Sequence, residues 1–413
     1  MKELQQYKFS DFLKIEMGQS PSSEYVNLEG IGLPLLNGPA EFTNTYPIPI
    51  QYSTEGNKIA NAKDILFCVR GSTTGRMNIA DQQYIIGRGL AAISHKEGKY
   101  LNSYVKGLLE YHLKFLIGGT CGSVFPNLTK EQLFNYTCYL PSLQVQEKIA
   151  SILSSLDDKI ELNNQLNDNL EQQAKLLYDY WFVQFEFPNE DGKPYKSSGG
   201  KMVYNKQLKR EIPEGWEVKE LGEIAELVRG VTYNKDDIKS FKNDLTIAIL
   251  RATNISENKI DLNNPVFVNK KLVSDKQILN QFDILMTMSS GSIDHVGKNG
   301  LYMFQEQVSF GAFCIKIAPN VDYHYYTHLF LQSPFINTTI RNECLGTNIN
   351  NLNGTIVKSF KVINPKKSIL EKFNCVTNPL FYNISINIQQ NQQLSSLRDW
   401  LLPMLMNGQV KVE

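Results

Sequence analysis

The most constraining feature of this sequence is a spaced pattern of apolar residues that occurs twice and contains asparagine in both copies. Within 149–181 the pattern residues are separated by alternating steps of four and three, and the same steps recur within 373–405. The first copy comprises Ile149, Leu153, Leu156, Ile160, Asn163, Asn167, Leu170, Ala174, Leu177 and Trp181. The second copy comprises Phe373, Thr377, Leu380, Ile384, Asn387, Asn391, Leu394, Arg398, Leu401 and Leu405. This spacing is typical of long helices that pair as a coiled coil.

The asparagines of the two copies face each other if the two helices pair antiparallel. Facing residues in such a pair have a constant sum of residue numbers, and Asn163 with Asn391 gives the same sum as Asn167 with Asn387. An amide buried without a partner costs about 1–3 kcal/mol, whereas an amide that faces another amide is satisfied. Because a slipped register would leave these amides unpaired, we interpret the four asparagines as residues that fix the register.

The same register produces one imperfect contact. It places Leu156 opposite Arg398, where we expect the arginine stem to pack and the guanidinium group to reach water.

The alternative interpretation is two separate amphipathic helices, each lying on its own domain with its asparagines at the solvent edge. A helix over 146–181 would be about 50 Å long, so a helix pair would hold two globular units well apart.

Several shorter stretches also recur in the same order, which indicates an internal repeat. FSDFLKIEMG (9–18) resembles LGEIAELVRG (221–230), and DILFCVRGS (64–72) resembles DILMTMSSG (283–291). IGRGLAAI (86–93) is paired with VSFGAFCI (308–315), and GGTCGSVFPNL (118–128) with LGTNINNLN (345–353). The sequence therefore predicts two related domains, each followed by a long helix.

Composition limits the class of protein. The chain has 413 residues, of which 42% are hydrophobic, so we expect two or more domains. Lysine plus arginine equal aspartate plus glutamate at 42 each, so any DNA-binding surface must be local. The sequence contains no signal peptide, no apolar run long enough for a membrane span and no CxxC pair among its six cysteines. These features predict a soluble cytoplasmic protein with reduced thiols.

Five stretches, in order, resemble the specificity subunit of type I restriction-modification systems. They are LPSLQVQEKIASILSSLDDKI, YWFVQFEFP, GKPYKSSGGKMVYN, EIPEGWEVKELGEI and LRDWLLPMLMNGQVKV. The resemblance implies two target recognition domains, each of which reads one half of a bipartite sequence in double-stranded DNA. It also implies that the two helices bind two methyltransferase (modification) subunits, which are joined by restriction/translocase subunits. S-adenosylmethionine, ATP and Mg²⁺ would then belong to the partners, and this chain would need no cofactor.

Together these observations predict an α+β fold with a pseudo-twofold internal repeat. We expect two globular target recognition domains separated by two long antiparallel coiled-coil helices, and a half-site spacing that the helices set. The expected segments are a first recognition domain (1–142), a first spacer helix (143–185), a linker (186–212), a second recognition domain (213–366), and a second spacer helix with the C-terminal tail (367–413).

The sequence lacks the motifs of the catalytic alternatives, a nuclease or a methyltransferase. It contains no Pro-Pro dipeptide, no GxGxxG and no Gly-Lys followed by Ser or Thr. His324 and His328 have helical metal-ligand spacing but lack the glutamate of HExxH, so we favour core packing and expect no metal. Asp81, Glu97 and Lys99 match a nuclease spacing that is common by chance. We therefore expect a non-catalytic chain, with a protein-binding scaffold whose recognition domains are degenerate as the remaining alternative.

The candidate DNA-binding residues lie in two polar, glycine-rich stretches and in short stretches near them. Arginine, lysine, serine, threonine, histidine and asparagine provide the hydrogen-bonding groups for base edges and phosphates. The first-domain candidates are Arg70, Ser72, Thr73, Thr74, Arg76 and Arg88. The second-domain candidates are Arg251, Ser289, Ser290, Ser292, His295, Lys298, Asn348 and Asn350. The alternative is that these stretches are turns, with glycines at positive φ and arginines in local contacts.

Overall fold

The computed structural model describes residues 4–43, 46–118, 127–256, 258–346 and 351–410. The helices are α1 (Phe9–Phe12), α2 (Asn102–Gly118), α3 (Lys130–Asn135), α4 (Leu143–Tyr178), α5 (Leu221–Ile224), α6 (His324–Leu331), α7 (Pro334–Gly346), α8 (Gly354–Lys358) and α9 (Lys367–Met406). The strands are β1 (Gln5–Lys8), β2 (Leu13–Met17), β3 (Val26–Asn27), β4 (Leu33–Leu36), β5 (Gln51–Ser53), β6 (Ile59–Ala60), β7 (Ile65–Cys68), β8 (Met77–Ile79), β9 (Tyr84–Ile86), β10 (Leu90–His95), β11 (Thr137–Leu140), β12 (Met202–Asn205), β13 (Arg210–Pro213), β14 (Glu217–Glu220), β15 (Ala225–Arg229), β16 (Thr246–Leu250), β17 (Ile255–Ser256), β18 (Lys259–Ile260), β19 (Val266–Asn269), β20 (Ile284–Thr287), β21 (Asn299–Leu301), β22 (Val308–Phe310), β23 (Cys314–Pro319) and β24 (Lys361–Asn364).

The chain forms two compact units whose boundaries fall inside the two long helices. The first unit contains Met1–Asn163 and Gln390–Glu413, and the second contains Asn164–Gln389. Each unit therefore contains part of α4 and part of α9. The sequence-based boundaries treat the helices as separate segments, whereas each helix half packs with a globular domain.

The first unit is built on a four-stranded antiparallel sheet with the strand order β2-β10-β7-β8. Strand β7 is buried along its whole length because its two faces belong to different cores. Ile65 and Phe67 face a core with α2 and the end of α9, and Leu66 and Cys68 face a second, smaller core. This arrangement explains why DILFCV reads as a continuous apolar run.

A five-stranded sheet with the order β3-β5-β4-β9-β6 completes the first unit. Within it β4 and β9 are parallel, and the short pair β1-β11 lies apart from both larger sheets.

The second unit repeats this plan with a different set of peripheral strands. Its four-stranded sheet has the order β15-β23-β20-β21, and β14-β24 takes the place of β1-β11. The parallel pair β16 and β22 corresponds to β4 and β9. The side-chain carboxylates of Asp64 and Asp283, which begin the two DIL stretches, accept a backbone N–H three residues earlier at 2.8 Å in both units. The predicted α+β internal repeat is thus visible in sheets, helices and turns.

One repeat assignment made from the sequence was wrong by two residues. Ile93 pairs with Ile15 in the first unit, and Ile317 pairs with Leu227 in the second. The structural counterpart of 86–93 is therefore 310–317 and not 308–315. The sequence comparison aligned Gly89 with a glycine whose structural counterpart is Gly87, because it had no information about strand register.

Each repeat contains a glycine, at an equivalent position, where two backbone segments cross in close contact. A β-carbon on Gly18 would lie 2.1 Å from the carbonyl oxygen of Gly87, and one on Gly230 would lie 2.2 Å from that of Gly311. The closing glycine of both FSDFLKIEMG and LGEIAELVRG is required by this close approach.

Candidate nucleic-acid interface

In the first unit the polar residues 69–76 connect β7 to β8 at the end of the central sheet. Arg70 forms an isolated antiparallel bridge with Asn127, and the N–H of Leu128 donates to the carbonyl of Val69 at 2.9 Å. These contacts hold the beginning of the loop. The side chain of Arg70 is exposed.

Internal hydrogen bonds give this loop a defined shape. The hydroxyl of Thr74 is buried and donates to the carbonyl of Gly71 at 2.8 Å. Gly71 and Gly75 have φ values of +86° and +91°, which favour glycine. Ser72 and Thr73 are exposed, and Thr73 Oγ1 also lies 3.5 Å from the sulfur of Cys68. Thr74 therefore shapes the loop, while Ser72 and Thr73 face solvent.

Arg76 ends this loop and Arg88 lies in a separate turn, and their contacts differ. The guanidinium of Arg76 donates to the carbonyls of Pro39 at 3.3 Å and Phe42 at 3.1 Å, so it joins the loop to another segment. Arg88 lies in the tight turn between β9 and β10, where its backbone N–H donates to Ser20 Oγ at 3.4 Å and its side chain is exposed.

In the second unit, residues 288–298 connect β20 to β21 at the same place in the central sheet. Ser289 forms an isolated antiparallel bridge with Asn351, and the N–H of Leu352 donates to the carbonyl of Met288 at 2.8 Å. These contacts match those of Arg70, Asn127, Leu128 and Val69 in the first unit. The two stretches selected from the sequence thus occupy equivalent positions.

Short hydrogen-bonded turns organise the interior of the second loop. Ser290 Oγ accepts from the N–H of Ser292 at 3.5 Å, and Ser292 Oγ accepts from the N–H of Asp294 at 3.4 Å. His295 is exposed, and Lys298 is half-buried at the end of the loop. The loop therefore presents hydroxyl, imidazole and ammonium groups from one short segment.

Arg251 directly follows β16, and its guanidinium donates to the carbonyl of Asn264 at 3.2 Å. The preceding residue, Leu250, accepts a hydrogen bond from the N–H of Gly311 at 2.9 Å, so Arg251 lies next to the turn between β22 and β23. This turn contains Phe313, which is 68% exposed and which the sequence analysis did not select. The signal available in the sequence was an aromatic residue inside a Gly-Ala turn. Asn348 and Asn350 lie outside the described residues.

The helix asparagines are paired within each unit. In the first unit Asn163 Nδ2 donates to Asn391 Oδ1 at 2.8 Å, and in the second Asn387 Nδ2 donates to Asn167 Oδ1 at 2.8 Å. Asn163 is fully buried. The structure therefore brings together the two pairs expected for an antiparallel arrangement, and their role in fixing the register remains a prediction.

The guanidinium of Arg398 does not simply reach water, as the sequence analysis expected. It donates to Asp157 Oδ1 at 3.0 Å, and Lys106 lies 3.5 Å from the other carboxylate oxygen. Burial lowers the pKa of Arg398, and the attraction of Asp157 and other carboxylates outweighs it, so the pKa is raised overall. The charge is thus retained inside the first unit by an ion pair.

Comparison with known protein families decides the class of this chain. The model of the type I restriction modification DNA specificity domain matches residues 1–172 and again residues 213–395. The chain belongs to this family. Its two matched regions agree with the internal repeat that the sequence and the two central sheets reveal.

Two relatives of this specificity-domain protein align with nearly the whole chain. The specificity subunit of the type I restriction enzyme MjaIX from Methanocaldococcus jannaschii is 28% identical over 426 aligned positions, covering 98% of this chain and 93% of the relative. The HindI specificity subunit from Haemophilus influenzae is 22% identical, covering 90% of each chain. The crystal structure of a type I S subunit from M. genitalium has a TM-score of 0.57 at 14% identity, covering 98% of this chain and 96% of that one, and shares the fold.

These findings confirm three predictions made from the sequence. The chain is a type I DNA specificity subunit, and the class of its relatives is non-catalytic. The α+β arrangement of two domains is confirmed by the similar fold.

Several residues whose spacing resembles a metal-ligand or nuclease motif make contacts that stabilise the fold. His328 is buried, its ring lies against Phe381, and burial lowers its pKa to about 3. Asp81 accepts a hydrogen bond from the hydroxyl of Tyr84 at 2.6 Å, and Lys99 forms an ion pair with Asp64 at 3.0 Å.

Within the described ranges, no group of three or more His, Cys, Asp or Glu side chains is arranged to hold a metal ion. In the same part of the chain, no helix combines the length and the apolar character of a membrane span.

Proposed function

We propose that this chain reads a bipartite DNA target, one half-site with each domain, within a type I restriction-modification complex. The observation that carries the proposal is the equivalence of the two polar loops. The 69–76 loop and the 288–298 loop leave equivalent ends of the two central sheets, and each is held by the same two kinds of backbone contact. Two related loops on two related domains suit a target that has two parts.

The chemistry of the loops suits contact with DNA. Exposed arginine can form paired hydrogen bonds with guanine, and hydroxyl groups can bond to bases or phosphates. We assign direct contacts to Arg70, Ser72, Thr73 and Arg88 in the first domain, and to Arg251, Ser289, Ser290, Ser292, His295, Lys298, Asn348 and Asn350 in the second. We assign a shaping role to Thr74, whose buried hydroxyl bonds to Gly71, and to Arg76, whose guanidinium bonds to two carbonyls of another segment, whereas that of Arg251 bonds to one.

The paired helices would determine the gap between the two half-sites. Both amide pairs are formed only when the helices keep one register, and a change of one helical turn would separate both. A fixed register would give a constant number of unread base pairs, since base pairs rise about 3.4 Å each. The length of α4 and α9 favours this role.

The chemistry of modification and cleavage would come from partner subunits. We propose two methyltransferase subunits and additional restriction/translocase subunits, which would hold S-adenosylmethionine, ATP and Mg²⁺. A cytoplasmic location is supported by the free, buried thiols of Cys68, Cys138 and Cys314.

Genome-wide sequencing of adenine methylation would test this function. Cells that express the chain together with its methyltransferase partner would be compared with cells that lack only this chain. We expect a two-part motif with a constant gap that appears only when the chain is present. A matched variant with Arg70→Ala and Ser289→Ala should weaken methylation of the same motif. Absence of any motif would overturn the proposal and favour a scaffold whose recognition domains are degenerate.

A further inference from the structure

The turn between β22 and β23 presents a large apolar side chain beside the second polar loop. Phe313 is 68% exposed, although phenylalanine is among the residue types most often buried. Its carbonyl accepts hydrogen bonds from the N–H groups of Met288 at 2.8 Å and Ser289 at 3.4 Å. Phe313 is therefore fixed at the start of the loop that we assign to DNA contact.

The first domain has the same turn but no side chain at this position. The N–H of Gly311 bonds to Leu250 in one domain, and the N–H of Gly87 bonds to Leu36 at 2.7 Å in the other. The counterpart of Phe313 is accordingly Gly89, whose carbonyl accepts from the N–H of Val69 at 2.9 Å.

Glycine at this place in the first domain has a steric cause. A β-carbon on Gly89 would lie 2.6 Å from the carbonyl oxygen of Asn37, so the first domain has no room for a side chain there. The counterpart of Asn37 in the second domain is Arg251, which follows Leu250. The two domains therefore present different chemistry at one equivalent position, glycine beside Arg88 in the first and phenylalanine beside Arg251 in the second.

The groups around Phe313 identify the feature that it can recognise. Ser289, whose N–H bonds to the carbonyl of Phe313, and Arg251, which follows the Leu250 carbonyl that holds the same turn, supply hydrogen-bonding groups. Phe313 supplies only apolar surface. In the major groove the apolar feature that distinguishes one base from the others is the 5-methyl group of thymine. On the basis of the proposed function, we infer that Phe313 contacts a thymine methyl group in the half-site read by the second domain, and that the first domain has no equivalent contact.

Replacement of thymine by deoxyuridine removes only the methyl group and therefore tests this inference. The full-length chain, assembled with its methyltransferase partner, would be titrated with duplexes that carry its methylation motif. Each thymine would be replaced singly by deoxyuridine. For the wild-type protein we expect one position, in one half-site, where the replacement weakens binding about fourfold, because burial of one methyl-sized group is worth about 0.8 kcal/mol.

Substitution of Phe313 should remove this sensitivity. With Phe313→Ala, the deoxyuridine and thymine duplexes should bind equally well at that position, and methylation in cells should tolerate other bases there. Phe313→Leu should retain part of the preference, because it keeps apolar surface. Phe241→Ala is the matched control, because Phe241 is 65% exposed in the same unit, and it should leave the preference unchanged.

Different outcomes separate the possible errors. If no thymine is sensitive to the replacement, or if Phe313→Ala keeps the wild-type sensitivity, the inference is overturned while the proposed function stands. If Phe313→Ala weakens binding to both types of duplex equally, the side chain acts as a wedge or as a support for the loop, and the thymine assignment is wrong. If the wild-type protein yields no motif, the proposed function fails and this inference fails with it.

Discussion

At the scale of single residues, the arginines of the first polar loop have unequal roles. Arg70 is exposed and has no side-chain hydrogen bond within the described part of the chain, whereas Arg76 donates to two carbonyl groups. The sequence grouped them because residue type and spacing carry no information about a partner more than thirty positions away. Phe313 was missed for a related reason, since only the fold places it beside Ser289.

Arg70→Ala and Arg76→Ala should therefore differ in their effects. We expect Arg70→Ala to reduce binding to the first half-site about tenfold with an unchanged Tm, because it removes a contact to DNA. Arg76→Ala should lower the free energy of unfolding by about 1 kcal/mol, because two carbonyls lose their donor. Thermal unfolding and duplex titration of both variants would check this. A lower Tm for Arg70→Ala would contradict its assignment as a surface contact.

The crossing glycine of the first repeat can be tested by adding one methyl group. Gly18→Ala should cost about 2–3 kcal/mol, because the new β-carbon would meet the backbone oxygen of Gly87 and the backbone must shift. Gly38→Ala is the matched control, since a β-carbon there meets no atom within 4 Å. Denaturant unfolding of the two variants should show a large loss for the first and little change for the second. Equal losses would show that the close approach has no special cost.

His328 should make stability fall in mild acid. Burial lowers the pKa of His328 to about 3, below the ordinary value of 6.5, so the unfolded chain binds a proton that the folded chain excludes. The stabilisation is present above pH 6.5 and is lost as the pH falls toward 3, which amounts to about 2 kcal/mol at pH 5. His328→Gln should flatten the decline between pH 7 and pH 5, whereas exposed His295→Gln should not. Denaturant unfolding across this pH range would measure both slopes, and an unchanged slope for His328→Gln would exclude this cause.

At the scale of helices and sheets, the spacing of apolar residues in the helices predicted contacts more accurately than the similarity of stretches predicted which strands correspond. The four-and-three spacing predicted which helix residues face each other, because helix geometry fixes which side chains share a face. It also predicted Asn163 opposite Asn391, and these residues lie in hydrogen-bond contact. The strand around 86–93 was matched two residues out of place, because the register of a strand depends on pairing partners that are distant in sequence. The ion pair of Arg398 with Asp157 could not be predicted from the helix register either, because the register places Leu156, and not Asp157, opposite Arg398.

A double-mutant cycle would test the proposed role of the amides. Asn391→Leu alone should cost about 1–3 kcal/mol, because buried Asn163 loses its 2.8 Å hydrogen bond to Asn391 and keeps the longer one to Gln390 at 3.4 Å. Asn163→Leu combined with Asn391→Leu should recover most of this loss, because two facing leucines pack without a polar requirement.

The informative readout of the double variant is the methylation motif. If the amides fix the register, the variant should methylate targets with more than one gap length. A single wild-type gap in the stable double variant would show that other contacts set the register.

At the scale of the whole molecule, the two units share one plan, and we propose that each reads its half-site separately. The loop at 69–76 lies in the first unit and the loop at 288–298 lies in the second. Substitutions in the first loop should change one half of the methylated motif, and substitutions in the second should change the other. Arg70→Ala and Phe313→Ala form a suitable pair, and methylation sequencing would report both halves and the gap together. A variant in one loop that alters both halves would contradict independent reading.

The first unit is discontinuous, and this has a consequence for how the protein is made. Its core contains Ile149 and Leu153 from α4 together with Leu405 and Met406 from the end of α9. A ribosome delivers these last two side chains only after the entire second unit has been translated. The core of the first unit therefore cannot be completed until the second unit has been synthesised. A polypeptide released before this point would lack Leu405 and Met406 and so could not complete the core of the first unit. Folding of the first unit therefore depends on translation of the second.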